Sequence, residues 1–272
     1  LVLWLVGTTA VTSLDSFAPL LGGVTSGVSA FLIGLVLRTF VLDRERRRIA
    51  FALSRYLDIR LAQQLIASDN APELGGEARE VTIWFSDIAG FSTLAEHMDA
   101  KELVGQLNAH FTLLGQAIEA EGGIIDKYVG DAVVAIFGAP LPLPDHAARA
   151  MRAALAVQEK LRKEEGKAGA FRIRIGLNTG QCVVGNVGSD RRFDYTAIGD
   201  AVNVGQRLEA ANKELGTMIL ASDSTVRAAG KGFLVRSLGS ITVKGRVEPV
   251  TVHEIIGIDT AASAQIPVAA RG

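Results

Sequence analysis

The chain has 272 residues, one cysteine, a formal net charge of −1 at pH 7 and a mean hydropathy of +0.28. The balanced charge gives no sign of nucleic-acid binding, so no nucleic-acid partner is expected. The lone Cys182 excludes an internal disulfide and fits a reducing cytoplasm. The hydropathy is high for a soluble protein, and its excess lies at the front of the chain.

An uncharged run at the front predicts a membrane span. No charged residue lies between Asp15 and Arg38, which is long enough to cross a hydrocarbon core of about 30 Å. Residues 1–12 form a shorter apolar run, typical of the truncated end of another span. A secretory signal peptide fits poorly, because no basic segment precedes the run. We therefore predict a transmembrane region over residues 1–42, with a buried soluble helix as the alternative.

Arginines follow this run directly, at positions 44 and 46–48. By the positive-inside rule they predict that the following chain is cytoplasmic and that the protein resides in the inner membrane. Leucines then recur every fourth position from Leu53 to Leu65, which predicts an amphipathic helix over residues 49–68. This helix either packs on the next domain or forms a two-helix signalling stalk. We assign residues 43–76 to a helical linker that ends at Gly75-Gly76.

The rest of the chain predicts an α+β fold. Residues 77–258 are expected to form one domain, and residues 259–272 a disordered tail. The predicted order is a strand at 81–86, helices from 91 to 120, a hairpin over 123–137, a helix at 144–164, a strand at 170–178, strand-like segments at 182–187 and 193–197, a helix at 200–215, and short strands near 217–220, 232–238 and 249–256.

Two aspartates at the ends of apolar strands predict a metal site. Asp87 ends one strand just before Gly90, and Gly130-Asp131 predicts a tight hairpin that carries a carboxylate at its tip. Either aspartate alone is typical of a turn or a helix cap. Together, beside a turn whose amides can hold phosphate, they favour two Mg²⁺ ions and a nucleoside triphosphate.

Three segments resemble the class III nucleotidyl cyclases: Phe85–Ser92, Asp126–Asp131 and Asp194–Glu209. The resemblance extends from about residue 53 to residue 258. It implies a ferredoxin-like catalytic domain, here preceded by the transmembrane region and the linker. It also implies in-line attack of the ribose 3′-OH of ATP on the α-phosphorus, giving 3′,5′-cyclic AMP and pyrophosphate.

The resemblance assigns roles to named residues. The metal ligands would be Asp87, Asp131 and the carbonyl of Ile88, holding two Mg²⁺ per site, with Mn²⁺ expected to support activity as well. Phosphate would contact the amides of Ala89, Gly90 and Phe91, and Lys244 would contact the terminal phosphates. Asn203 and Arg207, four apart on one helix face, would orient the ribose and stabilise charge on the α-phosphate.

The choice of purine follows from Lys127 and Thr196. Lys127 can donate a hydrogen bond to adenine N1, and Thr196 can accept one from the 6-amino group. Guanine presents the opposite pattern, so it would leave buried groups unpaired. Guanylyl cyclases typically carry Glu and Cys at these positions, which makes ATP the expected substrate and a guanylyl cyclase the alternative.

The resemblance also implies a homodimer, because the family builds its sites between two cyclase domains and this chain carries both halves. A catalytically silent signalling module is the other alternative. It would lack at least one of Asp87, Asp131, Asn203 or Arg207, and all of them are present. A diguanylate cyclase is disfavoured, because the hairpin at Gly130 lacks the acidic Gly-Gly motif of that class.

Overall fold

The computed structural model describes residues 31–34, 37–38, 44, 74–164, 171–189, 192–242 and 249–259. The chain divides into two compact units, Leu1–Ala71 and Pro72–Gly272. Within the described residues, no helix has both the length and the apolar character needed to span a bilayer. Most of the predicted span, the predicted helix over 49–68, the tail after residue 259 and Lys244 lie outside the described residues.

The second unit has the α+β composition that the sequence predicts, with an eight-stranded sheet. Its elements are β1 (Gly75–Ile88), α1 (Phe91–His97), α2 (Ala100–Ala120), β2 (Ile124–Val129), β3 (Ala132–Phe137), α3 (His146–Glu164), β4 (Ile173–Ser189), β5 (Arg192–Ile198), α4 (Asp200–Leu215), β6 (Ile219–Ser222), α5 (Asp223–Ala229), β7 (Phe233–Ile241) and β8 (Val250–Ile258).

The sheet has the order β2-β3-β1-β4-β6-β8-β7, and β5 pairs with β4 outside this path. Its centre is the antiparallel pair of β1 and β4, which runs without interruption from Gly75 opposite Asn186 to Ile88 opposite Ile173. This pairing explains two differences from the predicted elements. β1 begins at Gly75, inside the predicted linker, and β4 is one continuous strand where the prediction had two segments, 170–178 and 182–187.

Each face of the sheet is covered by a different layer. Because side chains alternate along a strand, Trp84 and Ile83 point to opposite faces. Trp84 lies in a core with residues of α2 and α3, among them Leu114 and Met151. Ile83 lies in a second core with residues of β2, β3, β5 and the start of α4. The sheet is therefore buried on both sides at its centre.

Gly176 in β4 sets the position of α4. A Cβ atom at this residue would lie 2.3 Å from the backbone nitrogen of Glu209 and 2.5 Å from the carbonyl oxygen of Gly205. Any side chain here would push the helix off the sheet. The side chain of Asn212 then ties α4 to β4, because its amide donates to the Ile175 carbonyl at 2.9 Å. Close packing of α4 brings Glu209 to the end of β1.

Candidate active site

The predicted hairpin between β2 and β3 is confirmed, and it brings the two predicted metal-binding aspartates together. Val129 pairs with Ala132, so Gly130, at φ 64°, and Asp131 form the turn. On the next strand, Ser86 of β1 lies opposite Val133, which places Asp87 at the same end of the sheet. The Ile88 amide donates to Oδ2 of Asp131 at 3.2 Å.

The pair of carboxylates is electrostatically suited to a cation. Burial and the adjacent Asp87 carboxylate raise the pKa of Asp131 to about 6. Two neighbouring carboxylates repel each other when both are ionised. A divalent ion bound between them would remove this repulsion. Among the described residues, no group of three or more His, Cys, Asp or Glu side chains could hold a metal. Two carboxylates completed by carbonyl, water and phosphate oxygens match the preference of Mg²⁺.

Arg174 and Glu209 adjoin this pair, and sequence reasoning missed both. Arg174 on β4 lies directly opposite Asp87, and its Nη2 donates to Oδ2 of Asp87 at 3.0 Å. Its Nε lies 3.2 Å from Oε1 of Glu209, an ion-pair contact without hydrogen-bond geometry. The side chains of Arg174 and Glu209 are 16% and 12% exposed. An arginine between two isoleucines of a predicted strand, in Ile173-Arg174-Ile175, was the signal that could have identified this contact.

Glu209 adds a third carboxylate to the same end of the sheet. Burial and the charge of Asp87 raise its pKa to about 7, while Arg174 opposes the shift. The Arg174 guanidinium contacts two of these three carboxylates, Asp87 and Glu209. This leaves an excess of negative charge that a metal ion would neutralise.

The two predicted purine-reading residues lie around a third residue, Asp126. The Thr196 hydroxyl donates to Oδ2 of Asp126 at 2.8 Å, which links β5 to β2. The Lys127 ammonium lies 3.7 Å from Oδ1 of Asp126. Burial raises the pKa of Asp126, and the hydrogen bond from Thr196 and the charge of Lys127 oppose that shift. The structure therefore groups Lys127 and Thr196, as the sequence predicts, and adds a carboxylate that the prediction did not use.

Comparison with known proteins identifies the domain. The family described as the adenylate and guanylate cyclase catalytic domain matches residues 76–257. The chain belongs to this family. Adenylate cyclase 1 of Rhizobium meliloti is 37% identical over 225 residues, which cover 80% of this chain and 33% of that protein. The chain thus spans about a third of the length of this curated relative.

Solved structures agree with this assignment. The adenylyl cyclase CyaB from P. aeruginosa is 34% identical with a TM-score of 0.61, covering 67% of this chain and 96% of that one. The guanylyl cyclase Cya2 is 32% identical with a TM-score of 0.62, covering 69% and 96%. The prediction of a class III nucleotidyl cyclase is confirmed. Because cyclases with either purine share the fold, the choice of substrate depends on the site.

Within one copy of the cyclase domain, Asn203 and Arg207 do not join the aspartates. On α4, Glu209 faces Arg174 and the end of the sheet that carries Asp87 and Asp131. At 3.6 residues per turn, Arg207 and Glu209 are separated by about 200° of rotation about the helix axis, so they lie on nearly opposite sides of α4. Asn203 lies on the same side as Arg207. Asn203 is exposed and Arg207 is half-buried. Helix α4 therefore carries Glu209 on one face and Asn203 and Arg207 on another.

The predicted phosphate-binding turn needs one revision. The Ala89 amide donates to the Arg172 carbonyl at 2.8 Å, which extends the pairing of β1 with β4. It is therefore engaged within the domain and not available to phosphate. Gly90, at φ 76°, is the N-terminal cap of α1, and Phe91 is its first residue. The amides of Gly90 and Phe91 stay as the predicted phosphate contacts.

Proposed function

We propose that this chain is an adenylyl cyclase that converts ATP to 3′,5′-cyclic AMP and pyrophosphate. The observation that carries the proposal is the group formed by Asp126, Lys127 and Thr196, with Thr196 hydrogen-bonded to Asp126 at 2.8 Å. This group presents a cationic donor and a hydroxyl acceptor to the substrate. Adenine offers the complementary N1 acceptor and 6-amino donor, whereas guanine offers the reverse.

Asp87, Asp131 and the Ile88 carbonyl are the residues that would hold two Mg²⁺ ions, or Mn²⁺ in their place. The fit rests on the donor set, two adjacent carboxylates with surplus negative charge. When bound, such ions lower the pKa of the attacking hydroxyl and neutralise charge on the phosphates. Arg174 would keep Asp87 oriented through its hydrogen bond of 3.0 Å.

The remaining chemistry needs positioning and charge stabilisation, which this family's reaction demands more than covalent help. Asn203 would orient the ribose, and Arg207 would stabilise the charge that develops on the α-phosphate. Gly90 and Phe91 would donate amides to phosphate, and Lys244 would contact the terminal phosphates. Lys127 and Thr196 would hold the base.

A homodimer would build the complete site. The opposite orientation of Arg207 and Glu209 on α4 supports this proposal, since Arg207 points away from the aspartates of its own chain. In a symmetric dimer, Asn203 and Arg207 of one copy would complete the metal site of the other, which gives two equivalent sites.

We also propose that the chain is anchored in the inner membrane with its cyclase domain in the cytoplasm. The support is the uncharged run between Asp15 and Arg38 and the arginines that follow it. Membrane fractionation of the full chain, with alkaline carbonate extraction to remove peripheral proteins, tests the anchor. Complete release by carbonate would contradict it.

The decisive test of the activity is a direct assay. The full chain is incubated with ATP or GTP and with Mg²⁺ or Mn²⁺, and both cyclic nucleotides are quantified. We expect cyclic AMP, with kcat/KM for ATP above that for GTP. A preference for GTP would replace the proposal by a guanylyl cyclase, and loss of both products would favour a silent signalling module.

Subunit complementation tests the shared site. A chain with Asp87→Ala and a chain with Asn203→Ala are each expected to be inactive. Mixed chains form heterodimers in which one site collects both defects and the other is intact. With random pairing, half of the dimers are mixed and half of their sites are intact, so recovery of about a quarter of wild-type activity is expected. Mixed dimers without recovered activity would exclude sites shared between subunits.

A further inference from the structure

Asp126 occupies an unusual position in β2. Ile125 pairs with Ala135 and Lys127 pairs with Val134, so Asp126 has no opposite residue on β3 and forms a β-bulge. Bulges change the direction of side chains and occur next to active sites. Here the Asp126 side chain is 4% exposed and the Lys127 side chain is 45% exposed. The two charged groups nevertheless lie close together, with Nζ of Lys127 3.7 Å from Oδ1 of Asp126.

The buried carboxylate determines the hydrogen-bonding role of Thr196. An ionised carboxylate can only accept hydrogen bonds, and a threonine hydroxyl has one proton and two lone pairs. The nearby Lys127 ammonium, 3.7 Å from Oδ1, favours the ionised form. The Thr196 proton is therefore committed to Oδ2 of Asp126 at 2.8 Å. What the hydroxyl can offer to a ligand is a lone pair.

We propose that Asp126 is a positioning residue for purine selection, because it fixes the Thr196 hydroxyl as an acceptor. An acceptor matches the 6-amino group of adenine and opposes the 6-oxo group of guanine. A threonine hydroxyl without this constraint rotates to suit its neighbour, and would donate to a 6-oxo group as readily as it accepts from an amine. The inference rests on the proposed use of ATP by this same site.

Asp126→Asn is the sharpest test, since it preserves size and removes the obligatory acceptor. The carboxamide of the variant can donate to the Thr196 oxygen, which frees the hydroxyl proton for the substrate. We expect kcat/KM for ATP to fall and that for GTP to rise, so that the ratio of the two falls about tenfold or more, the scale of one reversed hydrogen bond. Purine riboside triphosphate, which has no 6-substituent, should keep its kcat/KM.

Two control variants distinguish an effect on purine preference from an effect on the folding of the domain. Glu159→Gln removes an exposed carboxylate on α3, and the ATP-to-GTP ratio should stay at the wild-type value. In a Thr196→Val background, Asp126→Asn should no longer change that ratio, because the hydroxyl through which it acts is absent. Thermal unfolding of each variant verifies that it is folded, and Asp126→Glu, which retains an acceptor, should keep most of the preference for ATP.

The outcomes are distinct. A wild-type chain that prefers GTP overturns the proposed function and this inference with it. A wild-type chain that prefers ATP, with an unchanged ratio in Asp126→Asn, overturns the inference alone. A parallel loss with all three substrates also overturns it, because that result assigns Asp126 a purely structural role between β2 and β5.

Discussion

Asp126 and Asp131 lie on the same hairpin, and their surroundings differ in one decisive respect. Asp131 shares its end of the sheet with Asp87 and Glu209, and Arg174 contacts Asp87 and Glu209. Asp126 instead contacts the Thr196 hydroxyl and lies close to the Lys127 ammonium group. The first group carries several carboxylates close together, which suits the cation that we propose it binds. The second combines one accepted hydrogen bond with a nearby ammonium group, and we propose that it presents hydrogen-bonding groups to an uncharged ring.

This difference suggests that the two ends of the site can be changed separately. Substitutions at the carboxylate cluster should alter metal dependence with little effect on purine preference. Substitutions around Asp126 should alter purine preference with little effect on metal dependence. The expectations below test that separation.

The largest effect should come from Asp87→Ala or Asp131→Ala. Each removes half of the carboxylate pair, and activity should fall by about three orders of magnitude or more, the scale of several kcal/mol of lost charge stabilisation. In the absence of metal, the unfolding temperature should be unchanged or slightly higher than that of the wild type, because one of two repelling charges has been removed. Glu159→Ala, which removes an exposed carboxylate of α3, is the matched control for the assay, and near-normal activity in either cluster variant would refute the metal site.

The next effect concerns the base. Lys127→Glu should place a hydrogen-bond acceptor opposite adenine N1, which is also an acceptor. ATP turnover should therefore fall about 10²-fold, on the scale of one or two unpaired buried groups. Combined with Thr196→Cys, it should raise use of GTP relative to ATP. The measurement is kcat/KM for both nucleotides, with Lys160→Glu on the exposed face of α3 as the control. Active variants with the wild-type ratio would show that these residues do not contact the base.

A smaller effect is expected from Glu209→Gln. Its carboxylate contributes negative charge beside Asp87 and Asp131, so neutralising it should raise the Mg²⁺ concentration for half-maximal activity by about three- to tenfold, with the preference for ATP unchanged. Glu214→Gln, on the exposed part of α4, is the matched control. An altered purine preference with normal metal dependence would contradict the separation of the two groups.

The smallest effect on activity concerns a histidine outside both groups. Burial lowers the pKa of His110 to about 4, and its ring packs edge-on against Phe171 at 5.2 Å. The folded state therefore binds this proton less readily than the unfolded state. Its contribution to stability is present above pH 6.5 and is lost as the pH falls towards 4, with a maximum of about 3 kcal/mol.

Urea unfolding at pH 7 and pH 5 measures this contribution. His110→Leu should flatten the decline in stability between these values while leaving the activity at pH 7 near normal. The flattening should be partial, because burial also lowers the pKa of His146. An unchanged decline in the variant would place the acid sensitivity elsewhere in the domain.

The amino-acid sequence by itself determined much of this domain, because several of its signals are local. Alternating and helical periodicities predict nearly every element after residue 80, although α5 was missed as a short helix directly joined to β6. Gly130-Asp131 between β-rich runs predicts the hairpin from a turn preference that operates over a few residues. The motifs around Asp87, Asp131, Lys127 and Thr196 are contiguous, so their functional interpretation required no knowledge of distant contacts.

What only the tertiary structure decided depends on pairing between distant segments. Arg174 reaches Asp87 because of the register between β1 and β4, and Glu209 reaches Arg174 because Gly176 admits α4. The same pairing occupies the Ala89 amide. The bulge at Asp126 has no distinctive amino-acid composition, because it results from a shift in the pairing register between β2 and β3. Local sequence periodicity determines which face of a strand or helix a residue occupies. The strand register and the packing of α4 on the sheet determine which residues that face contacts.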